Sequence, residues 1–220
     1  MSIKLILADD HPILVAGVQY ELAALRTLDI VGTASNSTEV VSLLDTRPCN
    51  ILVTDYLMPG GDIGDGLNML SFLLRRYPAL HIIVFTTIDN PAMVSSMLEL
   101  GIKAVLNKAD DITHLITAIH TVYAGSSYLS PSIQEICMRT DASNSTQKLS
   151  RRELEVIRLF VEGASINEIA NQLNRTKQTI STQKSSAMRK LGIQRDADLF
   201  RYAYESGLVG GSVTTKSPSD

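Results

Sequence analysis

Cysteine is nearly absent: Cys49 and Cys137 are the two among 220 residues, too few for a disulfide framework and without the companions a zinc site needs. No uninterrupted apolar run approaches the roughly 20 residues of a membrane span. The apolar start Ile3 to Ala8 meets Asp9 and Asp10 instead of a cleavage site, which predicts a soluble, cytoplasmic protein with no membrane partner. Internal repeats are missing, and His81, His114 and His120 share no metal-ligand spacing. Net charge is low too, at −3, but the balance is uneven along the chain. Residues 1–123 carry 7 Lys/Arg against 13 Asp/Glu, whereas residues 148–210 carry 11 against 7. An acidic part suits a divalent cation and a basic part suits a polyanion, although solvated faces alone produce differences of this size.

What is present is enough apolar residue, 45% of the chain, to bury two ordinary cores. The first 123 residues alternate β-rich runs with helical patterns, the signature of a doubly wound parallel sheet. Five strands are predicted, over Ile3–Ala8, Asp29–Ala34, Ile51–Thr54, His81–Phe85 and Ala104–Leu106. Helices are expected between them, over Ile13–Leu25, Thr38–Leu44, Gly66–Arg76, Ala92–Leu100 and Ile112–Tyr123. Residues 124–147 read as a linker, polar and without periodicity from Thr140 onward. Helical periodicity returns over 148–210, with a fourth helix across Ala197 to Tyr204, and 211–220 reads as a frayed tail. The fold class is therefore α/β plus all-α, in two domains.

In such a sheet, ligands bind beyond the carboxyl ends of the strands. Asp9 and Asp10 end the first strand there, Asp55 the third and Thr86 the fourth, while Lys108 follows the fifth. Three carboxylates at one rim repel one another unless a cation neutralises them, and the hard, oxygen-preferring Mg2+ fits best. Phosphoryl chemistry follows, with Asp55 as the nucleophile that becomes an acyl phosphate. Asp9, Asp10, Asp55 and the carbonyl of Leu57 would hold Mg2+, Lys108 would pair with the phosphoryl group, and Thr86 would hydrogen-bond to it. Asp after a strand is often only a cap or turn residue, so it is the full set that carries the reading. His11 is expected to begin the first helix or face solvent, with approach to a divalent ion as the alternative. The loop MPGGDIGDG is glycine-rich and so flexible, and Asp62 and Asp65 within it are assigned to turn chemistry, with control of access to Asp55 as the alternative.

ADDHP at 8–12, TDYLMPG at 54–60, FTT at 85–87 and NKA at 107–109 resemble the receiver domains of response regulators over roughly 120 residues. That resemblance implies strand order 2-1-3-4-5, phosphorylation of Asp55 by a histidine kinase or a histidine phosphotransfer protein, and an inward move of Thr86. The chain departs from the receiver pattern at Val105, where many receivers place an aromatic residue, and in the longer loop before Gly66.

The second domain reads as helix, break at Gly163, helix, turn around Asn174 and helix, which is helix-turn-helix order. The helix from about Lys177 to Leu191 would enter the major groove of double-stranded DNA, with Ile180, Ala187 and Leu191 facing inward. Its other face offers Gln178, Ser181, Thr182 and Ser185 to DNA, with Lys177, Lys184 and Arg189 chiefly for phosphates. Leu149-Ser150-Arg151-Arg152-Glu153, Glu168-Ile169-Ala170, Thr179-Ile180 and Lys190-Leu191-Gly192 resemble the LuxR/NarL group. That resemblance implies two-fold-related half-sites, homodimers, and heterodimers with auxiliary LuxR-type regulators. The expected function is a transcription factor, not an enzyme, switched by phosphorylation of Asp55. Two alternatives stand beside it. Turnover of small phosphate esters would mark a Mg2+-dependent phosphohydrolase, and equal DNA affinity with and without a phosphoryl donor would mark a phosphorylation-independent regulator.

Overall fold

The computed structural model describes residues 2–142, 149–193, 195–206 and 208. The chain divides into two compact units, Met1–Gln147 and Lys148–Asp220. The expected tail and the last part of the expected linker, 143–147, lie outside the described residues.

In the first unit the strands β1 (Ile3–Ala8), β2 (Leu28–Ala34), β3 (Ile51–Thr54), β4 (His81–Thr86), β5 (Ala104–Asn107) and β6 (Tyr128–Leu129) form one sheet. Its order is β2-β1-β3-β4-β5-β6 and every pairing is parallel. The expected five strands are thus corrected to six, with the expected order intact for the first five. β6 and the helix after it, α6 (Pro131–Ala142), occupy the stretch expected to be linker. The strand is two residues long and carries no alternation to detect, so periodicity is silent there.

The other helices of this unit are α1 (Pro12–Ala23), α2 (Ser37–Thr46), α3 (Gly66–Arg76), α4 (Pro91–Leu100) and α5 (Ile112–Tyr123). Local chemistry sets their ends. Asn36 caps α2 by accepting from Glu39 N, and Asn90 caps α4 in front of Pro91, whose fixed φ suits the first helical position. Gly101 ends α4 at φ +101°, where a side chain would be strained. The four residues of β3 are all buried, as a strand covered on both faces requires. One face of the sheet buries Leu5, Val53, Ile83 and Leu106 against Leu22, Leu115 and Ile119 of α1 and α5.

The second unit is helical: α7 (Arg151–Val161), α8 (Ile166–Gln172), α9 (Lys177–Lys190) and α10 (Asp196–Glu205). Ser150 with Glu153, and Ser165 with Glu168, form capping boxes that fix the starts of α7 and α8. The turn between α8 and α9 places Asn174 at φ 51°, a left-handed conformation that asparagine tolerates better than most residues. Val156, Ile169, Ala170 and Ile180 make the core of this unit. On α7, Leu154 is exposed while Val156 and Ile157 are buried.

Candidate functional site

The register of the sheet brings the acidic residues together. Ala8 pairs with Thr54 across β1 and β3, so Asp9 and Asp55 leave adjacent strands at the same level. Asp55 N donates to Ala8 O at 2.8 Å and ties the two strand ends. Thr86 pairs with Asn107 across β4 and β5, and Lys108 N donates to Thr86 O at 2.8 Å, which fixes the backbone of Lys108 beyond the same rim.

The side chains complete the arrangement. Lys108 Nζ lies 2.6 Å from Asp9 Oδ2 and 2.6 Å from Asp55 Oδ2, with all three side chains almost entirely buried. Asp55 Oδ1 accepts from Tyr56 N at 2.6 Å, so each oxygen of this carboxylate has a donor. Burial pushes the Asp55 carboxyl above its usual range, against the pull of Lys108. For Lys108 burial acts downward, and the two carboxylates outweigh it to raise the ammonium. A charge network this closely packed at a strand-end rim marks a functional site more readily than a structural one.

Asp10 completes the acidic set. His11 Nδ1 lies 2.8 Å from Asp10 Oδ1 without forming a hydrogen bond, and that buried oxygen has no hydrogen-bond partner. His11 itself caps α1 through its backbone, and its ring, mostly exposed, contacts Asp9 Oδ1 at 3.2 Å. One donor atom from each of Asp9, Asp10, His11 and Asp55 lies within 4.8 Å of the others. Three hard carboxylates, one with an unsatisfied buried oxygen, fit a divalent cation of the Mg2+ kind. Leu57 stands half-buried two residues beyond Asp55, at the start of the long loop. Thr86 is buried, and its Oγ1 accepts from Ile88 N at 3.3 Å.

The long loop is docked onto α2. Thr38 Oγ1 donates to Asp62 Oδ2 at 3.1 Å and accepts from Asp62 N at 2.9 Å. A Cβ on Gly61 would collide with the Ser37 side chain and backbone, so only glycine allows this approach. Val105 is fully buried in β5 and pairs with Leu129 of β6.

In the second unit Lys177, Gln178, Ser181, Thr182, Ser185 and Arg189 are all exposed along one side of α9, opposite the buried Ile180 and Ala187. Lys184 stands apart from that face: its ammonium lies 2.7 Å from Asp196 Oδ2 and 3.7 Å from the centre of the Phe160 ring. Arg175, which the sequence pattern does not single out, is exposed in the turn and lines a groove with Asn174 and Thr176 at the start of α9. The signal for it is the Asn174 turn, which places the next residue at the helix entrance. Glu153 is a second residue whose role the motif alone does not reveal: it is buried and lies 2.8 Å from Lys190 Nζ, joining α7 to the end of α9. Its place three residues after Ser150 is the capping-box spacing.

Comparison with known proteins gives two family matches: the response regulator receiver domain over residues 5–120, and the luxR family of bacterial regulatory proteins over residues 147–203. The chain is 36% identical over 220 residues to the transcriptional regulatory protein RcsB of Escherichia coli K12, covering all of this chain and 98% of that one. It is 27% identical over 216 residues to the oxygen regulatory protein NreC of Staphylococcus carnosus, covering 94% and 99%. Among solved structures, RcsB of Salmonella enterica serovar Typhimurium, bound to a promoter in the presence of the phosphomimetic BeF3−, is similar with TM-score 0.85 at 36% identity, over 93% of this chain and 99% of that one. A structure of two RcsB dimers bound to two parallel DNAs is similar with TM-score 0.83, over the same shares.

Proposed function

We infer the function from one premise: the chain belongs to the response regulator family, with a receiver domain followed by a domain of the luxR family. It is a DNA-binding transcriptional regulator controlled by phosphorylation. Asp55 is the phosphoacceptor in this reading, and the observation that carries it is the buried Lys108 ammonium held between Asp9 and Asp55 at 2.6 Å from each.

A carboxylate oxygen of Asp55 attacks the phosphorus of a phosphohistidine or a small donor. The new P–O bond forms as the donor's own bond to phosphorus breaks, and the leaving group keeps the electron pair. Lys108 follows the charge onto the phosphoryl oxygens, and Thr86 turns its hydroxyl from Ile88 N toward them. Asp9, Asp10 and Asp55, with the Leu57 carbonyl, would hold Mg2+, which neutralises the carboxylates and the incoming phosphoryl charge. The phosphohistidine is carried by a histidine kinase or a histidine phosphotransfer protein.

The second unit reads DNA through α9. Gln178, Ser181, Thr182 and Ser185 face base edges, while Lys177, Arg189 and Arg175 contact phosphates; Lys184, bound to Asp196, serves the fold. One solved structure holds two RcsB dimers bound to two parallel DNAs, and dimers of this chain would engage two half-sites. Two joined half-site contacts gain from effective concentration, so a modest preference for the phosphorylated dimer becomes a large change in occupancy.

The test is the affinity of the full chain for a duplex selected from random sequence, at fixed salt, with and without acetyl phosphate and Mg2+. Wild type should bind at least several-fold tighter after treatment and Asp55→Ala should not change. Equal affinity for treated and untreated wild type would contradict the reading and select the phosphorylation-independent one.

A further inference from the structure

The strand and helix that replace the expected linker meet Lys108 directly. Ser130 is fully buried between β6 and α6, and its Oγ accepts from Asn107 N at 3.0 Å. Asn107 is the residue before Lys108, and its own Oδ1 accepts from Ala109 N at 2.8 Å. The backbone at Lys108 is therefore held from both sides, by Thr86 O on β4 and by Ser130 through Asn107. A second tie lies one turn on, where Ser132 Oγ donates to Asp110 Oδ1 at 2.5 Å. Ser130 O also accepts from Gln134 N at 2.9 Å, closing the first turn of α6, and Ile133 buries the helix on the unit.

We propose that Ser130 is a positioning residue: its hydrogen bond to Asn107 couples the place of Lys108 to the first turn of α6, so the state of Asp55 is passed to that helix. The inference rests on Asp55 being the phosphoacceptor. The physical sequence is short. In the unphosphorylated chain the ammonium is clamped between two carboxylates. A phosphoryl group on Asp55 replaces one clamp with oxygens farther from the strand end, and Lys108 must shift to reach them. The residue next to it is bonded to a buried hydroxyl that opens α6 and that also bonds the Asp110 carboxylate, and a hydrogen bond this deeply buried is costly to break, so displacement at Asn107 is passed on. α6 is the last described element before residue 143, where the chain leads on to the DNA-reading unit.

The test is amide hydrogen exchange of residues 131–138 in the full chain, before and after acetyl phosphate with Mg2+, with phosphorylation followed by intact mass. Wild type and Ser130→Thr should change exchange in this segment by about threefold or more. Ser130→Ala and Ser130→Val, phosphorylated to the same extent, should show less than half that change. The Thr and Val variants match in shape, so their difference reports the hydroxyl and not packing. A wild-type response in Ser130→Ala, or equal responses in the Thr and Val variants, would overturn the proposal. Asp55→Ala separates the premise from the inference: if it gains mass and changes exchange as wild type does, the phosphoacceptor assignment fails and the inference falls with it.

Discussion

Lys108 reaches Asp9 and Asp55 but not Asp10, whose buried Oδ1 has no hydrogen-bond partner and faces His11 Nδ1 at 2.8 Å. Removing one of three clustered carboxylate charges should relieve repulsion that Lys108 offsets at Asp9 and Asp55. Asp10→Asn is expected to stabilise the chain in chelator-treated buffer by about 1 kcal/mol, or roughly 2–4 °C in a thermal melt. The same variant should bind Mg2+ at least tenfold more weakly in a calorimetric titration. A melt lowered in chelator would show that Asp10 is held by contacts and not by a missing cation. Asp9, Asp10, Asp55 and Lys108 are legible in the sequence because each sits at a strand end, and strand ends follow from apolar runs. His11 near the two carboxylates is less so, since its place after them fits a helix start or a solvent-facing ring as well as a neighbour of a cation.

Glu153 carries a separate acid dependence. Burial pushes its carboxyl up, but Lys190 and the Ser150 capping contacts outweigh that and hold it at about 2, against an ordinary 4.5. A folded-state value below the unfolded one adds stability above the ordinary range and loses it as pH falls toward the folded value. Protection of α7 and α9 amides should therefore weaken between about pH 5 and pH 2. Glu153→Gln should flatten that dependence and reduce stability at neutral pH by roughly 1–3 kcal/mol. An unchanged acid profile in Glu153→Gln would place the titration elsewhere.

At the scale of elements, α9 separates two kinds of contact. Arg189→Ala should weaken binding to all duplexes alike and reduce the slope of log affinity against log salt by about 1. Ser181→Ala should leave that slope alone and relax preference at one base position, read by selection from random sequence. Lys184→Ala should lower the stability of the second unit through loss of Asp196 and the Phe160 face, with the salt slope unchanged. A slope that falls by about 1 in Lys184→Ala would return that residue to the phosphate contacts. The exposed row on α9 is readable from its 3.6-residue period, whereas the diversion of Lys184 depends on α10 and Phe160, which no local pattern reveals. β6 and α6 escape a local reading for a related reason. The strand is two residues long, and the large apolar positions of the helix are Ile133, Ile136, Cys137 and Met138, clustered in its middle. Ser130 followed by Pro131, a cap residue before proline, is the available clue.

For the whole molecule, the opposite charge balance of the two units is visible in the sequence alone, and the fold gives each a chemical reason. Asp9, Asp10 and Asp55 of the acidic unit stand where a cation and a phosphoryl group would bind, and Lys177 and Arg189 of the basic unit are exposed on the helix that would meet DNA. Among the described residues no helix is long and apolar enough to cross a membrane. The glycine-rich loop reads as flexible turn chemistry, yet Asp62 is tied to Thr38 by reciprocal hydrogen bonds and Gly61 packs on Ser37. Loop docking of this kind depends on a partner 24 residues away in sequence, beyond the reach of local reading.

The central claim, that one carboxylate at the rim accepts a phosphoryl group, is tested most directly by locating the adduct. The full chain would be treated with acetyl phosphate and Mg2+, the acyl phosphate reduced with borohydride, and the peptides sequenced by mass spectrometry. The reduced residue should be Asp55 alone, with none in Asp55→Ala. Reduction at Asp9 or Asp10 instead, or a wild-type yield from Asp55→Ala, would contradict the account.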